Sequence, residues 1–272
     1  MSHKVREIYD LCNAISPFDT QETWDKSGLN LGSLESEFSH IALCLELTLP
    51  LAQALKPHTL VITHHPLFFR PQGALLTDFY PSNIAAILLR KNCSLLSLHT
   101  NFDLSHLNAH LTHKVLGWEH FTQQGAFMRG EITPTPLAEL AQQVRSHLKA
   151  PQVSYTEADL PTPHGLDSEK PIPESSLESP TISEAYVICG SGCSLLPQIP
   201  PSPNRHICLL TGDVKHHDAM IAKSMGISLI DMGHYESEKY FVQIFQSILQ
   251  NAGYNAIIAD CKNPFHFANA PQ

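Results

Sequence analysis

The segment from Leu60 to Pro66 reads Leu-Val-Ile-Thr-His-His-Pro, an apolar run that ends in two histidines and a proline. Ligand sites of open α/β sheets gather at the carboxyl ends of the strands. Neighbouring side chains of a regular strand point to opposite faces, but where a strand becomes a loop both rings can turn toward one cavity. The segment therefore predicts a buried strand followed by His64 and His65, each able to bind a different ion. The alternative is a pair of loop histidines without a ligand.

Similar apolar runs recur along the chain and alternate with segments of helical periodicity. Apolar residues spaced three and four apart predict helices that begin at Val5, after Pro81 and near Tyr240. This alternation predicts an α/β fold whose sheets are covered by helices on both faces. The predicted strands are Ile41–Leu47, Leu60–Thr63, Ser94–Thr100, Ala185–Gly190, Ile207–Leu210, Ser228–Met232 and Ala256–Asp260.

One proline-rich stretch interrupts the alternation. Residues 151–180 hold six prolines among Ser, Glu and Thr, and four more prolines follow between 197 and 203. Such stretches favour extended loops. We therefore predict one lobe over residues 1–125, a connecting segment over 126–182 and a second lobe over 183–272.

The composition is that of a globular protein, with 43% hydrophobic and 16% charged residues among 272. A formal charge of −9 disfavours a broad nucleic-acid-binding face and leaves room only for a local basic patch. No apolar run reaches the roughly 18 residues that a membrane span needs. The mixed-charge start from Met1 to Glu7 does not resemble a signal peptide. We therefore expect a cytoplasmic protein without a membrane segment.

The cysteines number seven, and most lie in apolar, strand-like runs. We expect them to be reduced and buried. Cys189 and Cys193 have no second cysteine pair with which to complete a zinc cage, which indicates a structural role. The seven positions are Cys12, Cys44, Cys93, Cys189, Cys193, Cys208 and Cys261.

A second predicted strand runs out after Leu98 into His-Thr-Asn-Phe-Asp, residues 99–103. The carboxylate of Asp103 can bridge two cations. His99 and Asn101 can bind a metal ion themselves, can hydrogen-bond to the metal ligands and orient them, or can take part in acid–base chemistry. Alternatively, Asp103 caps the helix that the following apolar pattern predicts.

A third predicted strand leads through Gly233 into His234 and Glu238. These two residues are four apart and share one face of a helix. An imidazole and a carboxylate at this spacing make half of a divalent-metal site. The alternative is a surface ion pair on a first helical turn, where acidic residues are favoured.

A fourth cluster, residues 211–217, reads Thr-Gly-Asp-Val-Lys-His-His. Its glycine permits a tight turn, and Asp213 and its basic neighbours can line a substrate pocket or cap the next helix. His216 and His217 lie inside a helical segment and point about 100° apart, which favours a structural or supporting role.

The candidate ligands from three strand ends form a set that suits two metal ions. Three histidines and two carboxylates match a two-metal hydrolytic site in number and type. Zn, Fe, Mn, Co and Ni all accept such ligands, so the metal's identity stays open. The five residues are His64, His65, Asp103, His234 and Glu238.

The motifs, in this order, resemble the NIF-three-like family, many members of which are described as GTP cyclohydrolase I type 2. The resemblance covers nearly the whole chain and implies the same five ligands for two divalent ions per chain. It implies two similar α/β lobes with the metal site between them at strand ends, in a ring-shaped homohexamer. The segment 126–182 is too short and proline-rich for the extra domain that some relatives insert. The motifs that carry the resemblance are 24–32, 63–67, 99–103, 211–213 and 233–238.

The resemblance also implies a function. We expect a dinuclear metal-dependent hydrolase that acts on GTP or a related nucleotide, with His99 as the candidate for proton transfer. The sequence contains no Walker-type glycine-rich loop, which leaves GTP itself open as the substrate. The alternative is a metal-binding regulatory or scaffold ring without turnover that binds a protein partner or a nucleic-acid strand. The net charge of −9 counts against tight nucleic-acid binding.

Overall fold

The computed structural model describes residues 3–159, 179–259 and 262–268. Within these residues the chain has a mixed α/β fold, as predicted. Most of the proline-rich stretch and Cys261 lie outside the described residues, so the expectations for them stay predictions. No described helix is long and apolar enough to cross a membrane.

The strands of the described chain form three sheets of two, five and six strands. Their bounds, in chain order, are β1 (His3–Lys4), β2 (Gly28–Leu31), β3 (Glu37–Phe38), β4 (His40–Cys44), β5 (Thr59–Thr63), β6 (Ser94–Ser97), β7 (Thr122–Gln124), β8 (Phe127–Pro136), β9 (Ser154–Thr156), β10 (Thr181–Val187), β11 (Ile207–Thr211), β12 (Ile227–Asp231) and β13 (Ile257–Ile258).

The α-helices vary from single turns to about three turns. They are α1 (Val5–Ile15), α2 (Leu49–Ala54), α3 (Ser82–Arg90), α4 (Thr100–Phe102), α5 (Asn108–His110), α6 (Leu137–Leu148), α7 (His216–Ser224), α8 (His234–Glu238) and α9 (Phe241–Asn251). Short 3₁₀ segments span Phe18–Thr20 and Cys193–Gln198, and π-helical turns span Asp103–Leu107 and Leu111–Val115.

The chain divides into two compact units. The first comprises the described parts of Met1–Leu107 and Lys239–Lys262, and the second those of Asn108–Glu238 and Asn263–Gln272. These boundaries differ from the lobes expected from proline content. The reason is strand pairing: β13, near the end of the chain, pairs in parallel with β4 and so belongs to the first unit. Proline content marks where a chain is extended and does not report which strands pair.

The five-stranded sheet of the first unit has the order β13-β4-β5-β6-β2, parallel except for β2. Every residue of β5 and β6 is buried, as expected for strands that are covered on both faces. Thr63 is the register partner of Ser97. The two strands therefore end together, and the residues that follow them emerge at one edge of the sheet.

The helices of the first unit follow the predicted apolar spacing. Val5, Ile8 and Cys12 are fully buried along α1, and Ile84 and Leu88 are buried along α3. Each recurrence of three or four residues keeps these side chains on one helix face. This confirms the helices predicted from Val5 and after Pro81.

The six-stranded sheet of the second unit has the order β7-β8-β10-β11-β12-β9. Its centre is again three parallel strands, β10, β11 and β12, flanked by antiparallel neighbours. The strand β8 was not predicted, because its sequence contains Gly130, Pro134 and Pro136. The register between β8 and β10 shifts between Ile182 and Glu184, and Pro134 of β8 lies in this irregular part of the pairing. The sheet therefore does not require a backbone amide donor at Pro134.

The six cysteines among the described residues are all buried and form no disulfide with one another. This confirms the expected burial for those positions, and the reduced state stays a prediction. Burial raises the pKa of the Cys193 thiol to about 12, which keeps it protonated and inert at neutral pH.

Candidate metal-binding residues in each unit

The end of β5 turns His64 and His65 out of the strand. The backbone amide of Leu98 still donates to the carbonyl of Thr63, at 3.0 Å, so the sheet register persists to this point. The hydroxyl of Thr63 then donates to the carbonyl oxygen of His65 at 2.8 Å, and the amide of His65 donates to the carbonyl of Leu45 at 3.1 Å. These bonds fix the backbone that carries both imidazoles.

The ring of His64 is held in one tautomer. It is fully buried, and its Nδ1 lies 2.8 Å from the carbonyl oxygen of Leu98. A carbonyl oxygen only accepts, so Nδ1 carries a proton and Nε2 keeps its lone pair when the ring is neutral. Nε2 lies 3.4 Å from Oδ1 of Asp103. Two electron-pair donors at this distance are suited to sharing a cation.

Asp103 is not the N-cap that the sequence left as an alternative. Its backbone angles are helical (φ −55°, ψ −49°), and its amide donates to the carbonyl of His99 at 3.0 Å. A helix N-cap has non-helical angles, and here His99 occupies that position. The carboxylate of Asp103 therefore projects from inside a helical segment toward His64.

His99 is oriented by a carboxylate that the sequence analysis did not single out. Its Nδ1 lies 2.9 Å from Oδ1 of Asp25, which is 5% exposed. Asp25 also accepts from the amides of Lys26 and Thr100 and from the Thr100 hydroxyl. Burial alone would raise the pKa of the Asp25 carboxyl, but the hydrogen bond and charge of His99 and these further donors hold it well below its usual range. Asp25 is thus ionised and fixes the His99 ring.

Three imidazoles of the first unit converge. His64, His65 and His99 each offer one ring nitrogen, and these nitrogens all lie within 4.8 Å of one another. The outer member, His65, is half-buried, and its Nδ1 lies 3.0 Å from a carboxylate oxygen of Glu46. The first unit alone therefore brings together side chains that are close enough to hold a metal ion.

The second unit places His234 and Glu238 on one face of α8, as their spacing predicted. Nε2 of His234 lies 3.0 Å from Oε2 of Glu238, whose side chain is 2% exposed. The near-complete burial of Glu238 argues against the surface ion pair that the sequence left open. Nδ1 of His234 lies 2.7 Å from Oδ2 of Asp213. Asp213 thus supports His234, as Asp25 supports His99.

The turns of the second unit leave no room for larger residues beside this pair. Gly190 has a φ of +60°, and a Cβ there would collide with Oε1 of Glu238. A Cβ on Gly212 would lie 2.7 Å from the backbone nitrogen of His234. The only sequence signal for Gly190 was its position in Cys-Gly-Ser-Gly-Cys at a strand end, because the contact with Glu238 spans 48 residues.

The remaining histidine pair stays outside these groups. His216 and His217 begin α7, are exposed, and have ring centroids 5.5 Å apart. Neither belongs to a cluster of potential ligands within the part of the chain that the structure describes.

Comparison with known proteins identifies the family. The profile of Duf34/NIF3 (NGG1p interacting factor 3) matches residues 3–264. A Helicobacter pylori protein named GTP cyclohydrolase 1 type 2 is 40% identical over 260 residues, covering 96% of this chain and 97% of that protein. A Campylobacter jejuni protein named GTP cyclohydrolase 1 type 2 homolog is 33% identical over 264 residues, covering 97% and 99%.

The solved structure of a Bacillus cereus protein related to NIF3 shares the fold. It superimposes with a TM-score of 0.76 at 16% identity, covering 98% of this chain and 99% of that one. The matches to the family profile and to these relatives extend over nearly the whole chain, and the resemblance seen in the motifs is confirmed. The chain belongs to the Duf34/NIF3 family.

Proposed function

We propose that this protein is a dinuclear metal-dependent hydrolase that acts on GTP or a related nucleotide. The observation that carries the proposal is the convergence of His64, His65 and His99 within 4.8 Å, with the carboxylate of Asp103 beside His64. The relatives named GTP cyclohydrolase 1 type 2 support the choice of a nucleotide substrate. The six buried cysteines of the described chain, none of them in a disulfide with another, suit a reducing, cytoplasmic setting.

The five ligands of the proposed centre are those that the motifs and the family resemblance imply. We assign His64, His65, Asp103, His234 and Glu238 to two divalent ions. Imidazole and carboxylate donors fit Zn, Fe, Mn, Co or Ni. When bound, such a pair of ions activates water and polarises the bond under attack.

Hydrogen bonds behind the proposed ligands match this role. The Leu98 carbonyl holds Nδ1 of His64, and the carboxylate of Asp213 holds Nδ1 of His234. In each ring this directs Nε2 toward the carboxylate of another proposed ligand, Asp103 for His64 and Glu238 for His234. Carbonyl and carboxylate partners of this kind orient metal-ligating histidines and raise their basicity.

His99 is the proposed proton-transfer residue. Its Nδ1 hydrogen is donated to Asp25, so Nε2 is the atom that takes up or releases a proton. Asp25 therefore acts by positioning His99.

The test is the metal content of the purified protein by elemental analysis, followed by a GTP turnover assay in the best-populated metal form. We expect close to two ions per chain together with turnover. The combined substitution of His64→Ala and Glu238→Ala should strip the metal and leave the circular dichroism spectrum of a folded protein. His217→Ala, at an exposed position outside the proposed ligands, is the matched control and should keep full metal content.

Three results would change the proposal. Full metal retention in the double variant would overturn the ligand assignment. Two ions without turnover of GTP or related nucleotides would favour the regulatory or scaffold alternative. No metal under any loading condition would overturn the proposal as a whole.

A further inference from the structure

Two exposed aromatic side chains of the first unit flank His99. Trp24 is 54% exposed, and its ring centroid lies 5.9 Å from that of His99. Phe69 is 46% exposed, and its centroid lies 5.2 Å from the same imidazole in an edge-to-face arrangement. Single exposed aromatics are common on protein surfaces. Here two of them, distant in sequence, converge on one imidazole.

The backbone that carries Trp24 is held firmly. The amide of Asp25 donates to the carbonyl of Glu22 at 2.9 Å, and the amide of Glu22 donates to the hydroxyl of Thr100 at 3.0 Å. Asp25 in turn anchors His99. The backbone next to Trp24 is therefore anchored at Asp25, the residue whose carboxylate orients the imidazole.

Phe69 is also carried by an anchored segment. Leu67 is 5% exposed, and its amide lies 3.2 Å from the side-chain oxygen of Asn30. Phe68 packs against the hydrophobic core of the first unit. The chain thus buries Leu67, partly buries Phe68 and leaves the ring of Phe69 exposed beside His65 and His99.

We propose that Trp24 and Phe69 form a stacking platform that binds the planar heteroaromatic base of the substrate, a purine, next to His99. This deepens the proposed function and rests on it. Tryptophan and phenylalanine offer large π-faces at low conformational-entropy cost. Stacking of a base on such a face does not depend on which hydrogen-bonding groups lie along the edge of the base. The platform thus selects the class of substrate, while groups at the metal centre act on the base.

The chain allows Trp24 to be observed alone. It has two tryptophans, and the other, Trp118, stacks on Phe121 in the second unit at 4.9 Å. Trp118→Phe retains an aromatic ring in that stack and leaves Trp24 as the single indole. We expect guanosine and GTP to quench the fluorescence of this variant saturably, in both the metal-free and the metal-loaded protein. Ribose 5-phosphate and tripolyphosphate, which lack a base, should leave it unchanged.

A matched pair of substitutions tests the second aromatic. In the Trp118→Phe background, Phe69→Leu should weaken guanosine binding roughly tenfold, the loss expected when one stacking partner is removed. Phe265→Leu, at a second-unit ring that is 71% exposed, should leave the Kd unchanged. Both variants should keep the metal content of the parent. Should Trp118→Phe fold poorly, the difference between wild-type and Trp24→Phe titrations reports the same signal.

The results separate this inference from the proposed function. Absent quenching, equal quenching by tripolyphosphate, or equal effects of Phe69→Leu and Phe265→Leu would overturn the platform, even if the protein holds metal and turns over GTP. Trp24 emission that changes on protein dilution and not on guanosine addition would overturn it too, by showing that another copy covers the ring. Saturable quenching by guanosine in a protein without metal or turnover would support the platform and count against the hydrolase.

Discussion

At the scale of single residues, the supporting carboxylate Asp25 offers the sharpest test of the first unit. It is buried and accepts hydrogen bonds from His99, Thr100 and Lys26. In Asp25→Asn an amide nitrogen must face at least one of these donors, so we expect a loss of about 1–3 kcal/mol in the free energy of unfolding. Turnover should fall roughly 10–100-fold as His99 loses its oriented partner. Urea denaturation and steady-state kinetics measure the two effects.

The control for Asp25 is another acidic residue that is exposed. Glu35 pairs with Lys4 and Arg6 on the surface. Glu35→Gln should leave both the free energy of unfolding and kcat close to their wild-type values. Wild-type stability and turnover in Asp25→Asn would contradict its positioning role.

Gly190 supplies the matching residue-scale prediction in the second unit. Ala at this position combines the strain of a φ of +60° with a collision against Glu238. Gly117, in the same unit, has a φ of +77°, but a Cβ added there would meet nothing within 4 Å, so Gly117→Ala isolates the cost of the backbone angle. We expect Gly117→Ala to lose about 1 kcal/mol and Gly190→Ala clearly more. Elemental analysis should find metal loss in Gly190→Ala alone.

Residue-scale prediction from sequence succeeded where partners are close along the chain. The spacing of four placed His234 and Glu238 on one helix face, and the structure places them so. Asp25 and Gly190 were missed because they contact His99 and Glu238 across 74 and 48 residues. No local period encodes such contacts; they follow from strand order.

At the scale of elements, the ends of β5 test how a strand presents its ligands. The buried hydroxyl of Thr63 bonds to the His65 carbonyl and to Ser97, whereas that of Thr59, at the other end, donates to the Lys56 carbonyl. Thr63→Val should cost about 1–3 kcal/mol of unfolding free energy, because the buried Ser97 hydroxyl loses its partner, and Thr59→Val should cost less, because Lys56 lies at the surface. Only Thr63→Val should also weaken metal affinity in chelator competition, since it loosens His65. Equal metal affinities would contradict that link.

The strands differ in how well they can be predicted from the sequence. The central strands β5 and β11 are continuous apolar runs and were predicted to within one residue at each end. The strand β8 was not predicted, since its ten residues include a glycine and two prolines, which the irregular part of its antiparallel pairing with β10 tolerates. Apolar runs thus predict the buried parallel core, and the flanking strands depend on pairing partners.

At the scale of the whole molecule, the sequence motifs predicted the protein family, and the profile match over residues 3–264 confirms that prediction. The boundaries of the two units were not predictable from local composition. Residues 239–262 return to the first unit through the pairing of β13 with β4, a contact between chain segments about 215 residues apart. Proline content is a local property and carries no information about pairing between segments that are so distant along the chain.

Assembly is the whole-molecule property for which the fold offers a specific surface. Between α2 and α3, one loop of the first unit carries four large apolar side chains that are each 60–70% exposed: Leu75, Leu76, Phe79 and Tyr80. A cluster of this kind in a single short stretch is typical of a surface that another chain covers. We propose that a second copy of this chain covers it, within the homohexamer that the family resemblance implies.

The test of assembly is the mass of the protein in solution by light scattering. We expect a hexamer for the unchanged chain and a smaller species for the double variant Leu76→Ser and Phe79→Ser, because each substitution removes apolar area from the contact. Phe265→Ser, at an equally exposed ring in the second unit, should leave the mass unchanged. Circular dichroism should show that all variants stay folded, since none of these side chains belongs to the core. A monomeric wild type, or a double variant that remains hexameric, would contradict the assignment of this loop to the interface.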